Sequence, residues 1–384
     1  CFDGQPITAE HITDKINAHI SGKPAVAASW GNRMTYIVKP KNHHPLLEKN
    51  KLGLTRRDYE GAVSTLCAGC GHDSISSAIV EACFQLSIES YKVAKLSGIG
   101  CSSKAPAYFL NQSHGFNSVH GRMPSIATGA AMANHELLYL GISGDGDSAS
   151  IGIGQFVHCA RRQLNMTYIV ENNGTYGLTK GQFSATNDLE SKSKYGDDNL
   201  FPSIDLPSMA IQLGASFVAR SFSGDKDQLV PLLKAALSHK GFSFLDIISP
   251  CVTFNNHNTS TKSYDYIREH NDALAKPDFV PSGKEILTDY PKGTSIEVPL
   301  HDGSLLALEK LSETYDPTDK IKAIQNIQES QRDGKVLTGL LYVDPDAKDL
   351  REILNVSDKP LNTLNQQDLC PGSEKLKGIN SGLK

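Results

Sequence analysis

The sequence predicts an α/β protein built on a parallel sheet flanked by helices, and three observations carry that expectation. An apolar run over 137–142 reads as a buried strand and ends at Gly144-Asp145-Gly146-Asp147-Ser148. Residues 148–164 read as a helix, and Met166-Thr167-Tyr168-Ile169-Val170 as the next strand. That strand runs into Glu171-Asn172-Asn173-Gly174-Thr175. A strand, helix, strand unit joins parallel strands, so both turns stand at one sheet edge, where ligands of such sheets bind. A Gly-rich turn opening a helix presents free N–H groups to phosphate. A carboxylate in that turn repels phosphate unless a cation lies between them, as Mg²⁺ does when carboxylate and phosphate share it. The unit therefore reads as a Mg²⁺-diphosphate site.

The other elements follow in order. Residues 1–60 are polar and irregular, with Pro40 and Pro45 bracketing Lys41-Asn42-His43-His44, and read as an extension over the main domain or a partner; the His pair reads as a solvated loop. Residues 75–86 carry apolar positions at helical spacing behind Asp73 or Ser74 as N-cap, with Cys83 a core or surface thiol. A short strand over 91–96 enters Ser97-Gly98-Ile99-Gly100-Cys101. His120-Gly121-Arg122 opens a helix of small residues over 125–133, and His120 is a candidate cofactor contact. Tyr176-Gly177-Leu178-Thr179-Lys180-Gly181-Gln182 is a Gly-punctuated loop beside the Asn pair, and 187–203 is a polar surface loop. Then come a helix over 205–213, a strand over 216–220, a helix over 225–238 and a buried strand over 242–248 that ends at Ser249-Pro250-Cys251. Beyond Asn255 the alternation lapses. Residues 61–255 thus form one domain, and 256–384 an irregular tail, with an amphipathic piece over 318–331, wrapping the core or a partner.

Composition narrows the function. With 384 residues, 39% hydrophobic, the chain suffices for one large core or two domains. Its 38 basic and 42 acidic residues give a net charge of -4, against a nucleic-acid footprint or a polybasic membrane surface. No apolar run reaches membrane-spanning length, and the first residues lack the basic and apolar regions of a signal peptide, so the cytoplasm is expected. Eight cysteines are too few for a disulfide scaffold of this length. Cys67 and Cys70 form a C-x-x-C pair, and Cys101 and Cys251 each follow a predicted strand, where a parallel sheet brings turns together. Cys1, Cys159 and Cys370 have no such setting. Four thiolates suit either zinc or a [4Fe-4S] cluster; one close pair with two distant singles favours the cluster.

These motifs together resemble a known family. Gly144-Asp145-Gly146 followed by Asn172-Asn173 is similar to the thiamine diphosphate motif. Cys67-Ala68-Gly69-Cys70-Gly71-His72, Gly98-Ile99-Gly100-Cys101 and Pro250-Cys251-Val252-Thr253-Phe254 resemble the cluster loops of 2-oxoacid:ferredoxin oxidoreductase β subunits, as does Tyr315-Asp316-Pro317-Thr318-Asp319 in the tail. The resemblance covers residues 60–260. It implies a thiamine diphosphate-binding fold, with Asp145, Asn173 and the Thr175 carbonyl holding Mg²⁺, and with Gly100, Cys101, His120, Gly144, Gly146 and Asp147 around the cofactor. It implies that Cys67, Cys70, Cys101 and Cys251 hold one [4Fe-4S] cluster, and that Lys104 and Lys180 contact the 2-oxoacid or support its site. Pyruvate-type members tend to have Gly where Lys180 stands. A cation there would favour a dicarboxylate, so 2-oxoglutarate is the expected acid, with coenzyme A as acyl acceptor and ferredoxin as electron acceptor. Thr261-Lys262-Ser263-Tyr264 also resembles the 2-oxoglutarate enzymes. The glutamate that engages the aminopyrimidine sits on a separate α chain in this family, so an αβ heterodimer is expected. The alternatives are a pyruvate or broad 2-oxoacid enzyme, a non-redox thiamine enzyme with structural zinc, and a non-catalytic metal-binding module.

Overall fold

A computed structural model describes residues 44–193, 196–255, 260–273, 295–299, 305–309, 315–370 and 372–383. All of them lie in one compact unit, Lys41–Lys384. Cys1 and His43, and with them the expected extension up to residue 43, lie outside the described residues. His44 is exposed. The described end of that extension is tied down: Tyr59 is buried, and its hydroxyl accepts a hydrogen bond from Asn50 Nδ2 at 2.8 Å.

In chain order the elements are α1 (Gly71–Gln85), β1 (Val93–Ser97), β2 (His114–Asn117), α2 (Met123–Ala133), β3 (Leu138–Gly144), α3 (Ile153–Arg161) and β4 (Met166–Asn172). A small hairpin, β5 (Thr175–Tyr176) and β6 (Gln182–Phe183), precedes α4 (Leu206–Gln212), β7 (Phe217–Phe222), α5 (Lys226–Ser238) and β8 (Phe242–Ile248). Then follow α6 (Tyr264–His270), β9 (Asn271–Ala273), a separate antiparallel pair β10 (Ser295–Pro299) and β11 (Leu305–Glu309), α7 (Lys320–Arg332) and β12 (Val336–Val343). The main sheet runs β2-β1-β3-β4-β8-β7-β12-β9. Its strands are parallel from β2 to β7, as expected; β12 pairs antiparallel with β7, and β9 runs parallel to β12.

Side chains alternate between the two faces of the sheet. Tyr168, Phe242 and Phe244 point to the face covered by α2, α3, α4 and α7, where Phe156 meets all three rings edge to face. Leu140, Ile142, Ile169, Leu245 and Ile247 point to the other face, against Ile75 and Ile79 of α1 and Leu229, Leu232 and Leu233 of α5. Register then fixes the site. Gly144 pairs with Glu171, and Glu171 with Ile247, so the ends of β3, β4 and β8 stand level at one edge. Among the described residues no helix is long and apolar enough to cross a membrane.

The structure differs from the sequence reading in four places. The expected helix over 148–164 is broken into a wide π turn, Gly146–Ile151, and α3. Gly152 lies at the break, where a Cβ would meet the Asp147 carbonyl at 2.5 Å and Gly121 Cα at 2.7 Å. The helix expected from residue 75 begins at Gly71 with Cys70 as N-cap, because the Cys70 carbonyl already accepts from Asp73 N–H at 3.2 Å. The segment beyond residue 256 does more than wrap the core. Its α7 and β12 put Ala323, Ile327, Leu337 and Leu341 into the core itself. The edge strand β2 also escapes the sequence reading, since all four of its residues are exposed and carry no alternation.

Candidate active site

Asp145 follows β3, is 1% exposed, and sits among donors rather than cations. Its Oδ1 accepts from Asn173 N–H at 3.3 Å, and its Oδ2 accepts from Thr186 Oγ1 at 2.7 Å and from Ser184 Oγ. Burial raises its pKa against the pull of these donors. Among the described residues no Lys or Arg pairs with it. Asn173 Oδ1 accepts from Thr175 N–H at 3.1 Å and keeps a lone pair free. A buried carboxylate, an amide oxygen and backbone oxygens form the hard donor set that Mg²⁺ takes, so these residues fit the ion that the sequence implies.

Asp147 is braced differently. Its Oδ1 accepts from Gly121 N–H at 2.8 Å and its Oδ2 from Ser143 Oγ at 3.0 Å. Tyr176 donates to the Gly146 carbonyl at 2.8 Å, and its ring lies 2.5 Å from where a Gly146 Cβ would stand. A cleft of about 440 Å³ opens at this edge. Gly100, Cys101, His120, the run Gly144 to Asp147, Asn173 and Thr175 all line it. A larger cavity, about 680 Å³, opens beside the first residues of β3, between His135, Leu164 and Lys240. None of the expected site residues lines it, so we assign the site to the smaller cleft.

The four cysteines come from three loops that meet. Gly71 N–H donates to the Pro250 carbonyl at 3.4 Å, which ties the C-x-x-C loop to the Cys251 turn. Thr253 Oγ1 lies 4.0 Å from Cys67 Sγ. A Cβ on Gly177 would stand 3.3 Å from Cys101 Sγ and 3.7 Å from Cys251 Sγ. All four are free thiols. Burial first, and then Glu171, Cys251 and Cys101 nearby, push the Cys70 thiol up to about 12. Burial, with Cys251 and Cys67 close by, also raises Cys101. Four thiols from three adjoining loops are the soft donor set that zinc or an iron-sulfur cluster takes, so the residue types fit such a group. Among the described residues no three His, Cys, Asp or Glu side chains converge closely enough to hold a metal ion as they stand.

The lysines stand apart. Lys180 is exposed at φ +80° beyond β5, while Leu178 and Thr179 beside it line the cleft. Lys104 sits half-buried in a 3-10 turn, Ser102–Ala107, with its N–H on the Cys101 carbonyl at 3.2 Å.

Sequence reasoning missed several residues. Ser184 and Thr186, the hydroxyls on Asp145, fall between two segments read as loops; their only signal is a Ser-Ala-Thr run after the Gly loop. Glu171 is fully buried, and neither carboxyl oxygen has a hydrogen-bond partner. Its Oε2 lies 3.5 Å from His72 Nδ1, which is 2.6 Å from Ser249 Oγ. Burial drives the Glu171 carboxyl well up and the His72 imidazole down to about 4. The signal is an acidic residue closing an apolar strand.

Residues 98–247 match the family described as thiamine pyrophosphate enzyme, C-terminal TPP binding domain. The 2-oxoacid:ferredoxin oxidoreductase β subunit of Saccharolobus solfataricus is 41% identical over 194 residues, 50% of this chain and 64% of that one. The match thus spans just under two thirds of that relative's length. The β subunit of 2-oxoacid:ferredoxin oxidoreductase 1 from Aeropyrum pernix is 39% identical over 59% of this chain and 69% of its own. The 2-oxoglutarate synthase subunit KorB of Methanocaldococcus jannaschii is 36% identical over 53% and 75%. A solved structure of 2-oxoglutarate:ferredoxin oxidoreductase from Magnetococcus marinus, with 2-oxoglutarate, coenzyme A and succinyl-CoA bound, superposes with a TM-score of 0.65 at 30% identity, over 85% of this chain and 95% of that one. With the thiamine-motif turns and the four cysteines at one sheet edge, these relatives assign the chain: it belongs to the 2-oxoacid:ferredoxin oxidoreductase β-subunit family.

Proposed function

We propose that this chain is the β subunit of a 2-oxoglutarate:ferredoxin oxidoreductase. With an α partner it converts 2-oxoglutarate and coenzyme A to succinyl-CoA and CO₂, in the cytoplasm, with ferredoxin as electron acceptor. The observation that carries this reading is the meeting, at one sheet edge, of the Asp145 donor set and the four thiols. The 2-oxoglutarate named for the KorB relative and the solved structure supports the choice of acid.

In this reading Asp145, Asn173 and the Thr175 carbonyl hold Mg²⁺, and Cys67, Cys70, Cys101 and Cys251 hold a [4Fe-4S] cluster. When bound, thiamine diphosphate supplies the electron sink for decarboxylation and the cluster supplies one-electron acceptance. The chain does the positioning. Ser184 and Thr186 orient the Asp145 carboxylate, and Asp147 fixes the Gly121 backbone beside the cleft. His120 stands at the cleft wall. Tyr176 locks the Gly146 turn whose N–H groups face a diphosphate. Lys180 stands near the cleft mouth to meet a distal carboxylate, and Lys104 supports the Cys101 loop.

The test is anaerobic co-purification with the α partner, followed by metal analysis and reduction of a low-potential dye with a panel of 2-oxoacids and coenzyme A. Iron with acid-labile sulfide and a preference for 2-oxoglutarate are expected. Zinc without iron would overturn the redox reading. Lys180→Gly is expected to weaken use of 2-oxoglutarate more than use of pyruvate; equal loss would remove Lys180 from selectivity and favour a broad 2-oxoacid enzyme.

A further inference from the structure

Behind Asp145 runs an unbroken line of polar contacts that crosses three strands and ends on α7. Thr186 Oγ1 stands 2.7 Å from Asp145 Oδ2 and 3.0 Å from Asn172 Oδ1. Asn172, on β4, donates through Nδ2 to Asp246 Oδ1 on β8 at 2.9 Å. The other Asp246 oxygen accepts from Arg220 Nε on β7 at 2.9 Å, and Arg220 Nη2 pairs with Asp205 Oδ2. That same Asp205 oxygen accepts from Gln331 Nε2, in the last turn of α7, at 2.8 Å. Thr186, Asn172, Asp246 and Arg220 are buried, so water does not substitute for a missing link.

Donor arithmetic gives this line a direction. An ionised Asp246 only accepts, so Asn172 must turn its NH₂ toward it. The Asn172 carbonyl therefore faces Thr186 and needs a donor there. The Thr186 hydroxyl has one proton and three neighbouring oxygens, Asp145 Oδ2, Asn172 Oδ1 and Ser184 Oγ at 2.9 Å. Ser184 Oγ already accepts from Thr186 N–H, which leaves Asp145 and Asn172 as the main claimants. With no cation on Asp145, its full negative charge claims the proton, because charge-assisted bonds are the stronger ones. A divalent cation takes up much of that charge. Ser184 Oγ still serves Asp145 Oδ2, and the Thr186 proton is released to Asn172.

We infer that Thr186 is a joint that couples cation occupancy at Asp145 to the Asp246–Arg220–Asp205 ion pairs, to which Gln331 of α7 is hydrogen-bonded. The inference rests on the proposed Mg²⁺ site and adds a regulatory link to it. Binding completes the line and tightens α7; reciprocally, an intact line favours binding.

The assembled enzyme tests this, with Mg²⁺-thiamine diphosphate as the probe, its affinity read by calorimetry and α7 read by amide hydrogen exchange. In the wild type, binding should slow exchange over Lys320–Arg332; in Thr186→Val it should not. Asn172→Leu should weaken binding about tenfold, the usual scale for groups that orient a metal ligand. In a Thr186→Val background the same change should cost less than about twofold, since the link is already cut. Equal weakening in both backgrounds, or none, would overturn the inference. If Asn172→Leu does not assemble, Gln331→Leu at the exposed end decides: loss of the α7 response with the cofactor still bound supports it, and an unchanged response overturns it. A wild type that does not bind the probe at all instead removes the proposed Mg²⁺ site.

Discussion

Gly98 and Asp147 compete for one space: a Cβ on residue 98 would stand 1.7 Å from Asp147 Oδ2. The turn after β1 is thereby pressed against the turn after β3, and only glycine allows it. Gly98→Ala must push Asp147 off Gly121 and Ser143. We expect a loss of about 2 kcal/mol, the scale of overpacking in a dense site, together with weakened thiamine diphosphate binding. Thermal unfolding and calorimetry check both; unchanged values would mean the β1 turn moves freely.

Gly177 faces two thiols more loosely, with a Cβ there 3.3 Å from Cys101 Sγ and 3.7 Å from Cys251 Sγ. A valine there crowds Cys101 and Cys251 from the hairpin side. Gly177→Val should lower iron retention by about tenfold or more under chelator challenge, on the scale of groups that surround a metal site. Iron retained at the wild-type level would show that the hairpin does not bound the cysteine group.

Removing a thiol should separate cofactor from fold. Cys251 lies outside the apolar clusters, in a turn held by its own carbonyl through Phe254 and Asn255 N–H. Cys251→Ser should therefore abolish the iron content expected of the proposed cluster while leaving the metal-free protein within about 0.5 kcal/mol of wild type. A large fall in metal-free stability would assign Cys251 a packing role instead.

Lys95 is buried within β1, and its ammonium donates to three backbone carbonyls, Pro106 and Phe109 at 2.6 Å and Leu110 at 3.0 Å. Burial brings its pKa down to about 8, with Cys83 opposing. Lys95→Met leaves those carbonyls without their donor and should cost roughly 3 kcal/mol at neutral pH. The pH dependence has a definite sign. Between pH 8 and the unfolded-chain value near 10.4 the unfolded state binds more protons, so stability owed to this group rises with pH. The wild-type advantage over Lys95→Met should grow across that window, by up to about 3 kcal/mol. Denaturant titrations at pH 7.5, 8.5 and 9.5 would reveal a flat difference if Lys95 were in fact solvated.

Strands and turns at the ligand edge were legible because each rests on a local signal. The run at Leu140 and Ile142 alternates with nothing polar, and the turns that end it carry glycines. Asp145, Asn173 and the four cysteines stood out because they belong to spaced motifs, a Gly-Asp-Gly turn, an Asn pair and a C-x-x-C pair, that resemble a known family. Ser184 and Thr186 could not, because hydroxyls in a loop are ordinary until the chain folds back onto Asp145. The break at Gly152 depends on its close approach to Gly121, a contact across 31 positions that no periodicity reports. Helix α1 began early for a similar reason: its cap is a cysteine whose carbonyl, rather than side chain, does the capping.

The antiparallel β12 has a consequence for how the molecule is made. Gly339 lies opposite Arg220, roughly 120 residues away along the chain, and closing a loop of that length is slow. During synthesis the β7 edge emerges long before its neighbour exists. Until β12 arrives, that edge is an open row of hydrogen-bonding groups, the kind of surface that recruits other nascent chains. The last strand of this sheet is thus also its guard against misassembly.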